Sequence, residues 1–425
     1  MSGIALFEDS HWQNFAPITL TKATFDVKAG ARSFFEEYKQ LPEMLLTREY
    51  LAGVTNERHP QCKVNSSMID SDTLFVNGLL HPGALYLDRL LGISHTFAVT
   101  AGGRLLVARL ARKGIEYLQD WVAAGKKINV KKFDVDKSTR LETQDAHQGL
   151  LSDPWDIIRI IENSLGMQVA DMRQKGDTVS TGVKVVGSGS AVIDQDAEVE
   201  EGTVLDTRNG IVYVGPEAQV APSRIAGPAY IGARTQVKQF TIIEASYIGY
   251  NCRVAGEIEH SIISDHTNKA HAGFVGRSYV GEWVNIGAMT TTSDLKMTYG
   301  NIKMTVPGGS GKVVDTGQNK VGSFFADLCK TSIGTLVYSG RRIGVSSHLH
   351  GLVTEDVPSF TIYGDSIGAR NAELELASAI ETQKKMMSRR GETMSKSYEQ
   401  MVRDVFAMTA GDRMRGGVRK GRFLV

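Results

Sequence analysis

Residues 213–229 read YVGPEAQVAPSRIAGPA, residues 230–246 read YIGARTQVKQFTIIEAS, and residues 247–263 read YIGYNCRVAGEIEHSII. A shorter row, SDHTNKAHAGFVGRS (264–278), then precedes YVGEWVNIGAMTTTSDL (279–295). Tyr213, Tyr230, Tyr247 and Tyr279 each open a row before Val-Gly or Ile-Gly. Within rows, aliphatics recur six apart: Val214 and Val220, Ile231 and Val237, Ile248 and Val254, Val280 and Ile286. Neither the 3.6-residue period of a helix nor the two-residue alternation of a strand produces that spacing. Six-residue periodicity predicts a left-handed parallel β-helix, in which three steps make one triangular coil. The aliphatic of each step points inward and stacks on its equivalents in neighbouring coils, so stability comes from stacking.

The repeat extends outward from these rows. Ile193, Val199 and Leu205 lie six apart before them, and Val321-Gly322, Ile333-Gly334 and Ile343-Gly344 resume it after them. We place the solenoid at 184–368. Residues 1–150 read as a mixed α/β domain, with strands at Ile4–Phe7, Leu74–Val76 and Thr96–Val99 and helices at 30–40 and 112–124. Gly78 and Gly102-Gly103 supply turns. Ser152-Asp153-Pro154 ahead of WDIIRIIENSL is a helix start, with a polar cap, a proline in the first turn and apolar residues at helical spacing. That helix defines a linker over 151–183. Residues 369–425 read as helices at 371–390 and 395–408, then a loose basic tail.

Composition narrows the function. Lys plus Arg number 48 against 47 Asp plus Glu, a net charge of +1. No basic excess exists to neutralise nucleic-acid phosphates. With 42% hydrophobic residues the chain can build cores. No apolar run reaches the ~20 residues that span a bilayer. The acidic, aromatic N-terminus is unlike a signal peptide. Cys62, Cys252 and Cys329 are far apart and form no CxxC pair. These features predict a soluble, cytoplasmic protein with no membrane or nucleic-acid partner. The tyrosine column reads as stacked exterior packing or a subunit contact.

A β-helix defines no reaction, so function rests on a site. The irregular row carries His266, Lys269 and His271, and Asn285 follows in VNIGA. The segment NKAHAGFVGRSYVGEWVNIGAMTTTSDLK resembles the catalytic stretch of GlmU-like proteins. These join a sugar-1-phosphate nucleotidyltransferase to a hexapeptide-repeat acetyltransferase. The resemblance rests on His271, Phe274, Gly276 and Asn285-Ile286-Gly287-Ala288, and it extends to the N-terminal domain, the PWDI helix and the C-terminal helices. It implies a nucleotidyltransferase-like domain over 1–150 and an acetyltransferase solenoid. His271 would be the base that takes a proton as an amine attacks the thioester of acetyl-CoA, a task that suits a near-neutral pKa. Asn285, Phe274 and Asp294 would hold the amino sugar phosphate, and Lys269 would contact its phosphate. Ala288 and Ser323 would lie against the coenzyme. Phe274 stands where the family has Tyr, Met289 where it has Gly, and Asp294 where it has Asn, so the acceptor is open to change. Such solenoids resemble homotrimers with the coenzyme between subunits, as cyclic symmetry favours.

The front domain lacks the family's glycine-rich phosphate loop. Pro17-Ile18-Thr19-Leu20-Thr21-Lys22 stands in its place. Lys22, with Lys28 behind it, is the phosphate contact expected for a nucleoside triphosphate. Asn77 of FVNG occupies the position of the Mg2+-binding Asp, and a neutral amide is a poor magnesium ligand. Two further readings stay open. One is a non-catalytic regulatory or scaffold protein. The other is a γ-carbonic-anhydrase-like zinc enzyme using His260, His266 and His271, whose spacing departs from that family.

Overall fold

In the computed structural model the described residues are 3–38, 41–68, 72–81, 87–135, 140–142, 149–171, 182–307 and 311–423. Residues 39–40 of the expected first helix, 172–181 of the expected linker and 424–425 of the tail lie outside them. The chain forms two compact units. The first comprises Met1–Val27, Arg32–Asp153 and Ser395–Asp404; the second comprises Lys28–Ala31, Pro154–Met394 and Val405–Val425. Two short excursions therefore interrupt what the sequence presents as contiguous domains. Among the described residues no helix is long and apolar enough to cross a membrane.

The first unit is built on a mixed sheet. Its strands run in the order Lys63–Val64, Met44–Leu46, Ile4–Phe7, Leu74–Asn77, Arg104–Arg109, Phe97–Ala101 and Arg140–Glu142. Ile4–Phe7 is parallel to both neighbours, Ala5 facing Met44 on one side and Phe75 on the other. Both faces of such a strand are covered, which is why IALF is apolar throughout. The helix Arg112–Ala123 buries Ile115, Leu118 and Val122 against Phe7, Phe75 and Leu105. The helix expected at 30–40 is absent over its described residues. Gly30 has φ +118 there, and only Phe35–Glu37 forms a single 3-10 turn.

The second unit is the triangular β-helix. On one face Val214, Ile231, Ile248, Ile263, Val280, Phe325 and Ile343 align in register from coil to coil. A second face aligns Leu205, Ile225, Ile243, Ile258 and Val275. The third aligns Val199, Val220, Val237 and Val254, then places Lys269 in the same inward column. Each inward aliphatic contributes about 1.5–3 kcal/mol of burial. Corners take left-handed backbone, as at Asn251, His266 and Trp283 (φ 52, 60 and 59). Short polar side chains tolerate that conformation best. Tyr213, Tyr230 and Tyr247 stack at 4.9 and 5.2 Å, but Ile262 occupies the next place and Tyr279 is fully buried. The helix Pro154–Asp171 packs on this side, its Gly166 lying against Pro228.

Three expectations about the repeat change. Ile333 is 80% exposed at a turn, while Thr331 and Val337 hold the inward positions. The shortened step is not in the row of His271. It is the corner between Val254 and Ile258, two residues shorter than Val237 to Ile243 one coil before. The solenoid also opens between Asp294 and Val321, whose N–H returns to the Asp294 carbonyl at 2.8 Å. The insertion carries an antiparallel hairpin of Lys303–Thr305 and Val313–Asp315.

The C-terminal tail is docked, not loose. Arg413 is buried, donating to Glu373 (2.7 Å) and to the Phe406 carbonyl (2.9 Å), and Phe423 stacks on His350 at 5.1 Å. The first expected helix shortens to Leu376–Ser388, because Ala372–Glu373 pairs as a strand with Thr361–Tyr363.

Candidate active site

His271 sits at the corner between the strands Asn268–Lys269 and Phe274–Gly276, and it is exposed. Its turn is held from inside. The Lys269 amine donates to the carbonyls of Ala255 (2.7 Å), His271 (3.1 Å) and Gly273 (3.0 Å). All three donors of an ammonium are thereby satisfied. The side chain is 1% exposed, and burial pushes its pKa down to about 8. Space for this arrangement comes from the shortened corner one coil before. Gly256 has φ +78 there, and a Cβ on it would lie 3.0 Å from the Lys269 amine. Lys269 is therefore not a phosphate contact, because its charged end faces into the solenoid.

The next coil adds Ala288, seated beside this turn through the Met289 N–H to Ala272 carbonyl bond (2.8 Å). Asn285 lies on the preceding face, its Oδ1 accepting from Asn268 Nδ2 at 2.7 Å. On the other side Phe274 and Asp294 meet around Gly276, where a Cβ would strike the Phe274 ring at 2.4 Å and come within 3.2 Å of the Asp294 carboxylate. Asp294 is bound by Arg277 at 2.8 Å. Phe274 is in register with Glu257, and Gly276 with Glu259 and then Glu244. Burial, then the adjacent Glu257, push the Glu259 carboxyl above its ordinary value. Ser323 departs from expectation. Its hydroxyl is buried inside the coil and donates to the Tyr338 carbonyl at 3.2 Å, so it offers nothing to a coenzyme.

The three histidines of the zinc reading are dispersed. His266 stacks on Trp283 at 4.0 Å on one corner, His260 has a corner position shared with Arg277, and His271 faces solvent. Among the described residues no group of three His, Cys, Asp or Glu is placed to hold a metal.

In the first unit, Glu8 and Arg48 emerge from the carboxyl ends of neighbouring parallel strands, where open α/β sheets place ligands. They form a buried ion pair, with Arg48 Nη2 3.0 Å from Glu8 Oε1. Arg48 also donates to the carbonyls of Thr19 (2.7 Å) and Lys22 (3.0 Å), fixing the loop that replaces a glycine-rich cradle. Lys22 is buried and lines a cavity of about 240 Å³ with Thr21, Asp26, Thr55 and Tyr398. Behind it Asp26 meets His59 at 2.6 Å, both buried. Lys28 and Lys22 fall in different units. Lys28 belongs to the second unit, 5.5 Å over the Tyr247 ring.

Asn77 is held by protein partners on both ends of its amide. Its Nδ2 donates to Asp9 (2.9 Å) and the Leu105 carbonyl (2.9 Å), and its Oδ1 accepts from Leu79 N–H (2.9 Å). Asp9 is itself committed. Burial raises its pKa, but the His11 hydrogen bond and the Arg104 charge outweigh that and hold it well below the usual carboxylate range. Sequence reasoning missed Arg277, Glu257 and Glu259, and also the Asp26–His59 pair. The only signal for the insertion beside Arg277 was the gap in the repeat after Asp294.

An α/β unit with its loops at the carboxyl ends of parallel strands, joined to a hexapeptide solenoid with a histidine-bearing corner, defines a two-part architecture. Residues 4–173 match the sugar nucleotidyl transferase family model. The chain is 27% identical over 209 residues to a bifunctional sugar-1-phosphate nucleotidylyltransferase/acetyltransferase of Sulfurisphaera tokodaii, covering 48% of this chain and 45% of that protein. It is 38% identical over 112 residues to the bifunctional protein GlmU of Gloeobacter violaceus, covering 26% and 21%. The chain thus aligns with less than half the length of these relatives. A solved structure similar to 57% of the chain, at 13% identity and a TM-score of 0.31, is the UDP-N-acetylglucosamine acyltransferase of Francisella novicida.

Proposed function

We propose that the chain is a transferase of sugar-nucleotide supply whose solenoid moves an acetyl group from acetyl-CoA to the amine of an amino sugar 1-phosphate or a related phosphorylated sugar. The observation that carries this reading is Lys269. An amine inside an aliphatic column costs stability, and departures from local consistency concentrate at functional places. Here that amine grips the two carbonyls of the turn that presents His271.

In the reaction the neutral amine attacks the thioester carbonyl while His271 accepts the amine proton. Collapse of the tetrahedral intermediate expels the coenzyme thiolate, and the imidazolium returns the proton to it. Asn285 and the backbone at Ala288 flank that position, and Phe274 with Asp294 form the acceptor side. The apolar side chains Phe240, Met289 and Ile333 are exposed, which supports a homotrimer in which a neighbouring subunit completes the coenzyme cleft. Three free, buried thiols fit a reducing, cytoplasmic setting.

For the first unit the committed amide of Asn77 favours binding a nucleotide or sugar nucleotide over Mg2+-dependent transfer. The test is thiol release from acetyl-CoA with a panel of amino sugar phosphates. His271→Ala lowers turnover about 10²–10⁴-fold if the imidazole is the base. A variant that keeps the wild-type rate refutes the assignment. Pyrophosphate release, measured separately, reports on the first unit.

A further inference from the structure

At the Arg277 corner, the other end of the strand Phe274–Gly276 from the His271 turn, the solenoid bears a cleft of about 530 Å³ between the helix Pro154–Asp171 and the insertion that follows Asp294. Arg159, Arg277, Lys320, Asn301, Gln318 and Tyr299 line it, and no carboxylate is among its lining residues. Arg277 and Arg159 each hold one acid, Asp294 at 2.8 Å and Asp156 at 3.3 Å. A guanidinium has five donors, so both keep N–H groups for a second anion. Gln318 ties the insertion to the helix by donating to the Trp155 carbonyl at 3.2 Å. Tyr299 is 73% exposed and held at φ +58 in a turn closed by its N–H donating to the Lys296 carbonyl at 3.0 Å.

Charge decides where a phosphate goes. The outer face next to Phe274 carries Glu244, Glu257 and Glu259, and their carboxylates repel it. Arg277 is the one residue common to that neighbourhood and to the basic cleft.

We propose that this cleft is the diphosphate subsite of a nucleotide-linked amino sugar. The sugar would lie over Gly276 toward His271, the phosphates against Arg277, Lys320 and Arg159, and the base on Tyr299. A single phosphate would leave most of the cleft empty, and ligand pockets of ~300–1,000 Å³ suit a nucleotide. The inference rests on the acetyl-transfer reading and names its acceptor.

The test uses the full chain and three acceptors: a nucleoside diphosphate amino sugar, the amino sugar 1-phosphate and the free amino sugar. Binding and the acetylation KM are measured for wild type, Lys320→Ala, Arg159→Ala, their double variant and Tyr299→Ala. Lys320, Arg159 and Tyr299 are exposed, so folding is preserved and is checked by the thermal transition. Each cation-removing variant should weaken the nucleotide-linked sugar about tenfold, and the double variant about a hundredfold. Tyr299→Ala should weaken only the nucleotide-linked sugar. Nucleotide affinity of the first unit is common to all variants and cancels in the comparison. Wild-type KM in every variant overturns the cleft and leaves His271 standing. Variant-sensitive binding with no thiol release from wild type leaves the cleft and sinks the acetyl-transfer reading. A loss confined to the 1-phosphate overturns the nucleotide assignment.

Discussion

Replacing Lys269 by Met should separate stability from activity. The substitution keeps an unbranched side chain in the inward column after Val254 but removes the buried amine. Two effects oppose each other. The amine pKa falls from 10.5 to about 8, mainly by burial. That is about 3 kcal/mol of cost for keeping it charged at neutral pH. Against this, the carbonyls of Ala255 and His271 lose their Lys269 donor, at about 1–3 kcal/mol each. Gly273 is insulated because its carbonyl also accepts the Glu257 N–H at 3.0 Å. The terms largely offset, so unfolding at pH 7 should shift by no more than about 3 kcal/mol while acetyl transfer collapses.

The pH dependence supplies an independent check. Between pH 8 and 10.5 the unfolded chain binds more protons at this lysine than the folded one, so wild type gains stability as pH rises through that window. Lys269→Met lacks that gain. Lys330, also pushed to about 8 by burial, is present in both proteins and drops out of the difference. The assay is denaturant unfolding at pH 7, 8.5 and 10 with thiol release at pH 7.5. Full turnover in the variant, or parallel pH slopes, would refute a charged amine that positions the turn.

Two other outcomes follow from buried polar groups. Asn77→Asp sets a carboxylate against Asp9 and the Leu105 carbonyl in a fully buried place, so the first unit should lose about 3–5 kcal/mol; an unchanged thermal midpoint in this variant would refute the buried amide network. Burial, with Lys330 and His350 adding to it, pushes His348 down to about 4. The unfolded state therefore holds more protons between pH 6.5 and 4, and wild type loses up to about 3 kcal/mol as pH falls through that window. His348→Asn should flatten the loss, as thermal melts across pH 4–7 would show; equal slopes in the two proteins would refute it.

The solenoid was legible because its coils repeat one chemical instruction. A six-residue aliphatic rhythm has no helical or extended competitor, and the register of Val214 with Ile231 and Ile248 follows from it directly. The first unit was legible only where strands are apolar on both faces, as in Ile4–Phe7, or where a helix is amphipathic, as in Arg112–Ala123. Residues 30–40 resemble a helix by composition, yet over the described 30–38 Gly30 at φ +118 and the Ala31 N–H, bound by Gln168 at 2.5 Å, set a non-helical course that only tertiary contact dictates.

Lys269 shows most clearly where sequence reading stops. Next to His271 in NKAH, a lysine reads as a phosphate ligand, because lysines at sites usually face solvent. Six-residue phase from Ile263 to Val275 puts it at an inward position, and the phase was available to count. What the phase could not supply was a reason for an amine to be tolerated there. That reason is the two-residue deficit at the corner before Ile258, which the row alignment assigned to the wrong coil. A lysine inside the column, a glycine at φ +78 above it and a shortened corner are one device distributed over two coils. Restoring the two residues to that corner while keeping Lys269 should therefore strand the amine, and replacing Lys269 alone should leave the corner hollow. Each change should disturb the His271 turn, and together they should disturb it less than their sum, since the second removes what the first leaves unpaired.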